Sequence, residues 1–282
     1  MKRYRVIFVP LALVLLLFSA GCLQEHSPGS PAGLSPAKGH DMMLHLLRNV
    51  TEAVQENLSA LDAATSGAAE VFRTTGISGP AADTVLAKVA ASHPAVINVI
   101  AYDQNGTVSA AEPGSAKFLL GTNLSGYGDV QKALTTRQPL MSKLVGIAQG
   151  VDGVVIARPV FSSSEEFTGV CSMGFSPDTL VRPIAEAASS GTPCTFMVVE
   201  PGGMVLYDPD PAEVGRETFN ETLYGGSPEF LDLVRHYTAN RTGYHTYSFY
   251  RTGFGEVVSK ETFWDTVELH GMEWRVLVTR EQ

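Results

Sequence analysis

The sequence predicts an α+β chain: a long N-terminal helix followed by two tandem modules, each an antiparallel sheet of about five strands with helices. Three observations predict it. Residues about 95–175 and about 194–280 repeat one pattern of strand, turn, strand, glycine-marked loop, helix and three further strands. Ahead of them, Leu47, Val54, Leu61 and Ala68 recur every seven residues, with Val50, Ala64 and Val71 between them. That spacing lines one helical face. Finally, Asn105-Gly106 and His270-Gly271 fall between apolar runs, where tight hairpin turns belong.

The first element is a leader. Lys2, Arg3 and Arg5 form a positive region, residues 6–18 are apolar apart from Pro10, and small residues 19–21 precede Cys22. This is a secretory signal over 1–22. Its end resembles a lipobox, which makes Cys22 the lipidation site and the new N-terminus. Ser19 stands where a lipobox usually has leucine. Residues 23–40 carry Pro28, Pro31, Pro36, Gly29, Gly33 and Gly39 and predict a flexible linker. The long helix occupies 41–78, with Asp41 as N-cap. Its stripe packs either along the modules or against a second copy, as a homodimer.

The first module spans 79–188. A short helix is expected over 80–91, then strands at 96–102, 140–147, 154–161 and 167–175, with a loop at 121–126 and a helix at 129–136 ended by Pro139. The second spans 189–282. Short strands at 196–199 and 204–207 flank Pro201-Gly-Gly, Gly215 marks the loop, a helix fills 228–237, and strands follow at 244–250, 263–269 and 273–279. The chain stops soon after that strand, at Arg280-Glu-Gln, so no output helix is expected.

Charge and composition narrow the function. About 240 residues follow the leader and linker, enough for two small domains or one large one. A net charge of −9 without a basic patch argues against nucleic acid. Six of the seven asparagines lie in Asn-x-Ser/Thr sequons: Asn49, Asn57, Asn105, Asn123, Asn220 and Asn240. Such sequons are glycosylation acceptors on exported proteins. A lipobox beside many sequons fits an archaeal surface. Export permits a disulfide between Cys171 and Cys194; both also fit as small buried apolar groups.

The order of these segments resembles the double Cache domain, the PAS-like extracytoplasmic sensor module of chemoreceptors and membrane histidine kinases. The resemblance covers about 41–280. It rests on the long helix, on 102–106 (Tyr-Asp-Gln-Asn-Gly), on 131–139 (Gln-Lys-Ala-Leu-Thr-Thr-Arg-Gln-Pro), and on 157–161 (Ala-Arg-Pro-Val-Phe). In the second module it rests on 206–210 (Leu-Tyr-Asp-Pro-Asp), Gly215, and 271–278 (Gly-Met-Glu-Trp-Arg-Val-Leu-Val). It implies a membrane-distal first module that holds the ligand and a membrane-proximal second one.

Within the first module, Arg158 sits in an apolar strand and shares a face with Val154, Ile156 and Val160. An arginine there needs an anionic partner, either a ligand carboxylate or an internal acid. Tyr127, Gln131, Ser142 and Tyr102 are the other candidate ligand-binding residues. The Arg-x-Trp-Tyr signature of amino-acid-binding members is absent. Asp208, Asp210 and Glu213 cluster around Pro209 and Pro211, where turn chemistry accounts for them. No metal site, cofactor or catalytic residue is expected: the histidines are scattered, and no serine elbow, P-loop or dinucleotide fingerprint occurs.

The sequence therefore predicts a lipid-anchored extracytoplasmic protein on the outer face of the cell membrane. It binds a small organic acid or related metabolite and acts through a membrane receptor, kinase or transporter. The alternative is a cell-surface interaction or structural module that binds no metabolite.

Overall fold

The computed structural model describes residues 36–251 and 255–282. The leader, Cys22 and most of the expected linker lie outside them.

Helix α1 (Pro36–Thr75) starts five residues before the expected boundary. Residues 37–40 of the expected linker continue the helix, so Asp41 is an exposed interior residue and not the N-cap. Proline is tolerated in a first turn, and His40 Nε2 fastens that turn 2.7 Å from Glu261 Oε2 on the second sheet. Gly76, at φ +76°, ends the helix, its N–H donating to Phe72 O at 3.0 Å in the left-handed conformation glycine favours there. Met43, Leu47, Val50, Val54, Leu58, Leu61, Ala68 and Phe72 are buried against both sheets. The seven-residue stripe is thus covered within the chain. It is not available as a dimer seam, and Val71 falls outside it, 42% exposed. α2 (Gly79–Ala90) buries Ala82, Leu86 and Val89.

The first sheet contains β1 (Val96–Asp103), β2 (Val108–Glu112), β3 (Leu140–Met141), β4 (Val145–Gly146), β5 (Asp152–Phe161) and β6 (Phe167–Phe175). Its order is β2-β1-β6-β5-β3, with β4 also on β5 and all pairs antiparallel. The β1–β2 turn closes because Asp103 Oδ1 accepts from the Asn105 and Thr107 N–H groups at 2.9 Å, while Gly106 takes φ +83°. α3 (Gly128–Thr136) covers the outer face. The strand expected over 140–147 is broken between β3 and β4. The Leu144 N–H leaves the ladder and donates to Glu200 Oε1 of the second module at 2.6 Å.

α4 (Pro177–Ser189), unforeseen in the sequence, joins the modules. The second sheet contains β7 (Cys194–Val199), β8 (Val205–Tyr207), β9 (Gly243–Tyr250), β10 (Val257–Leu269) and β11 (Met272–Glu281), ordered β8-β7-β11-β10-β9. It repeats the first sheet's path. α5 (Glu221–Tyr224) and α6 (Pro228–Ala239) lie on its outer face. One shared core lies between α1, α4 and the inner faces of both sheets, and each outer face carries a smaller core. Cys171 on β6 and Cys194 on β7 are both buried and unbridged.

Candidate functional site

Among the described residues, a cavity lies beneath the helices and loops on the outer face of each sheet. The cavity of the first module has a volume of about 40 Å³. Its floor is Asn98 and Ile100 on β1, Val155 on β5 and Ser172 on β6; Leu119, Leu124, Tyr127, Asp129 and Val130 roof it. Asn98, the one asparagine outside a sequon, is buried. It accepts from the Gly174 N–H at 3.2 Å and donates to Gln149. Burial raises the Asp129 carboxyl above its usual range, against the pull of the α3 N-terminal N–H groups. At roughly 10–15 Å³ per water, this space suits a few waters.

The cavity of the second module is larger, about 110 Å³. Thr195 and Met197 on β7 and Thr279 on β11 form its floor, and Phe196 and Val205 also line it. Tyr224, Phe230, Tyr247 and Phe249 form an aromatic wall, with Phe230 stacked on Phe249 at 4.5 Å and tilted to Tyr224 at 5.1 Å. Asp208, Asp210, Glu213, Lys260 and Arg251 are its charged lining, and Lys260 lies near enough to Asp208 to pull its carboxyl pKa down.

The charges differ in how far they are already engaged. Glu213 accepts from Tyr224 Oη at 2.5 Å and from Arg216 Nη1 at 2.8 Å. Arg251 is held two-pronged by Glu281 at 2.9 and 2.7 Å. Lys260 Nζ donates to Tyr250 O at 2.6 Å and lies 5.7 Å from the Phe249 ring centre. Asp208 Oδ1 accepts the Asp210 N–H at 2.8 Å, and Asp210 Oδ1 accepts the Ala212 N–H at 2.9 Å, the turn chemistry the sequence suggested. Arg182 of α4 fixes the same corner, donating to Asp208 O at 3.2 Å and lying 5.0 Å from the Tyr207 ring. Burial lifts the Asp208 carboxyl to about 6, with Glu213 and Asp210 adding repulsion. The Lys260 ammonium is lowered, first by burial, and burial pushes the Tyr247 hydroxyl up to about 12. A desolvated carboxylate beside aromatic faces suits a cationic nitrogen.

The expected site residues do not converge. Arg158 is on the inner face, with Val154, Ile156 and Val160 packed toward α1. Its guanidinium meets Asp62 of α1 through both Nε, at 2.8 Å, and Nη2. His270, from the turn between β10 and β11, also contacts Asp62 at 2.9 Å. The anion that Arg158 requires is therefore internal, and the group ties α1 to both modules. Alternation identified the residues sharing its face correctly but not which face the helix covers. Ser142 is buried, donating to Lys143 O and accepting from the Val155 N–H. Tyr102 is 1% exposed within the outer core. Gln131 is exposed and donates to Ser125 O at 2.9 Å. Of the five candidates, only Tyr127 lines the first cavity.

Residues 56–177 match the family model described as HK/GC/Chemotaxis protein-like, sensor domain. Among solved structures, an extracellular ligand-binding receptor from Desulfohalobium retbaense is 22% identical, with a TM-score of 0.70 over 84% of this chain and 40% of that one. The chain thus spans less than half of that receptor's length. The ligand-binding domain of the Pseudomonas fluorescens chemoreceptor CtaA, solved with L-serine, is 14% identical, with a TM-score of 0.63 over 87% of this chain and 98% of that one. That of the Pseudomonas aeruginosa amino acid chemoreceptor PctB, solved with L-Arg, is 15% identical, with a TM-score of 0.57 over 87% and 94%. No curated protein sequence matches the chain. The fold is that of a double Cache domain, two PAS-like modules behind one long helix. Among the described residues, no helix is long and apolar enough to cross a membrane.

Proposed function

We propose that this chain is a non-enzymatic, extracytoplasmic small-molecule sensing domain whose ligand occupies the second module. The observation that carries the reading is the second cavity, where a desolvated carboxylate, Asp208, lies beside an aromatic wall. The ligand is a small molecule with a cationic nitrogen. Its ammonium pairs with Asp208 and its body lies against Phe230 and Phe249. A carboxylate on the same ligand would find Lys260. The amino acids bound by the two chemoreceptors carry that same ammonium group. An organic acid in the first module loses its support, because Arg158 is already paired.

The protein is held to the outer membrane face through Cys22 and acts through a membrane receptor, kinase or transporter. Five of the sequon asparagines are exposed, which suits glycan attachment. Asn57 is half-buried and donates to Ala53 O at 2.8 Å. A second reading, a surface interaction module that binds no metabolite, is favoured by the nearly filled first cavity.

A thermal-shift screen of the chain against amines, amino acids and organic acids tests the proposal. A ligand at about 100 times its Kd stabilises the fold by about 2.7 kcal/mol. Amine or amino acid hits lost in Asp208→Asn support the reading. Organic acid hits insensitive to that change, or no hit at all, contradict it.

A further inference from the structure

We propose a second, independent site: a divalent transition-metal site formed by Asp232, His236 and His245. Asp232 and His236 lie one turn apart on α6, and His245 comes from the facing edge strand β9. Their ligand atoms all lie within 4.8 Å of one another. His236 Nε2 is 3.5 Å from Asp232 Oδ2, and His245 Nε2 is 3.4 Å from the same oxygen. A tetrahedral zinc with bonds of about 2.0–2.2 Å places its donor atoms about 3.3–3.6 Å apart. Two edges of that tetrahedron are therefore already set.

The surroundings fit a metal better than a simple ion pair. Arg235 approaches the other Asp232 oxygen, Oδ1, at 3.9 Å, leaving Oδ2 to the histidines. The two imidazoles lie 4.7 Å apart, centre to centre, a poor arrangement for two cations. Both histidines ligate metals as neutral imidazoles. Two histidines and one carboxylate select zinc, nickel or copper over calcium or magnesium, with solvent in the remaining position. The metal would staple α6 to β9, and both elements also wall the second cavity through Phe230, Tyr247 and Phe249.

The test is calorimetric titration of the tag-free chain with zinc chloride alone, with melting curves run in zinc and in EDTA. One equivalent binds at micromolar Kd or tighter and raises Tm. His236→Gln and His245→Gln each weaken binding at least tenfold, while the exposed His45→Gln leaves it unchanged. Cobalt(II) gives the visible absorption of a tetrahedral site, and calcium does not compete. If His245→Gln fails to fold, His236→Gln decides alone, because its side chain is 49% exposed. No saturable zinc binding, or parent-like binding by His236→Gln, overturns the proposal.

Discussion

The first sheet runs β2-β1-β6-β5-β3 and the second β8-β7-β11-β10-β9, yet the same outer face is filled differently in each. In the first module, Leu119, Leu124 and Val130 close over Ile100, Val155 and Val170. Branched aliphatic side chains interdigitate and leave little room. In the second, Tyr224, Phe230, Tyr247 and Phe249 stand as planes around the corner where β8 runs into the Asp208 turn. Flat rings stack on one another but cannot fill such a corner. One topology therefore gives a nearly filled module and a more open one, and side-chain shape makes the difference.

Changing Asp208 breaks this comparison most severely. Asp208→Asn is expected to weaken amine binding about a hundredfold, near 2.7 kcal/mol, while Asp129→Asn in the first module leaves the affinity unchanged; calorimetry reads both. Next comes Arg158→Ala, which leaves Asp62, at the junction of α1 and both modules, with its His270 contact alone among these two partners. A loss of about 2 kcal/mol in urea denaturation is expected, with amine affinity preserved. An equal loss of binding would return the ligand to the first module.

Acidification gives a smaller effect. Asp208 titrates near 6 in the fold, above its ordinary value. The stability that its protonation brings is complete below the ordinary carboxylate range and is lost as pH rises through about 6. Amine binding requires the ionised form and runs the other way. Affinity should fall by about tenfold per pH unit below 6 and level off above 7. A pH-independent affinity would exclude Asp208 as the partner. The smallest effect is expected from Val130→Ala. It enlarges the first cavity at about 1 kcal/mol of stability and should confer no amine binding.

Much of the fold was legible in the sequence. The hairpin glycines, the seven-residue stripe and the internal repeat each report local geometry, and the sheets follow them. α4 was missed although its start is signalled by Ser176 followed by Pro177 and Asp178; the Ser176 hydroxyl accepts the Thr179 N–H at 3.1 Å. A helix separated from the preceding strand by the single residue Ser176 was hidden by the strand pattern. The break between β3 and β4 depends on Glu200, far along the chain, and no local pattern carries it. The site was least legible. Alternation cannot say which face of β5 a helix covers, so it leaves open whether Arg158 meets a ligand carboxylate or an internal acid; the structure shows the internal acid, Asp62. The Asp208 turn was recognised as a turn, but its aromatic neighbours arrive from α5, α6 and β9. His236 and His245 meet only because β9 folds back on α6.

The most direct test of the central claim is a chemical-shift titration of the labelled chain with the best amine from the screen. The largest perturbations are predicted at Asp208, Tyr224, Tyr247 and Phe249, with Asn98, Tyr127 and Ser172 unmoved. Perturbations centred on Asn98, Tyr127 and Ser172, with the second module silent, would contradict the account.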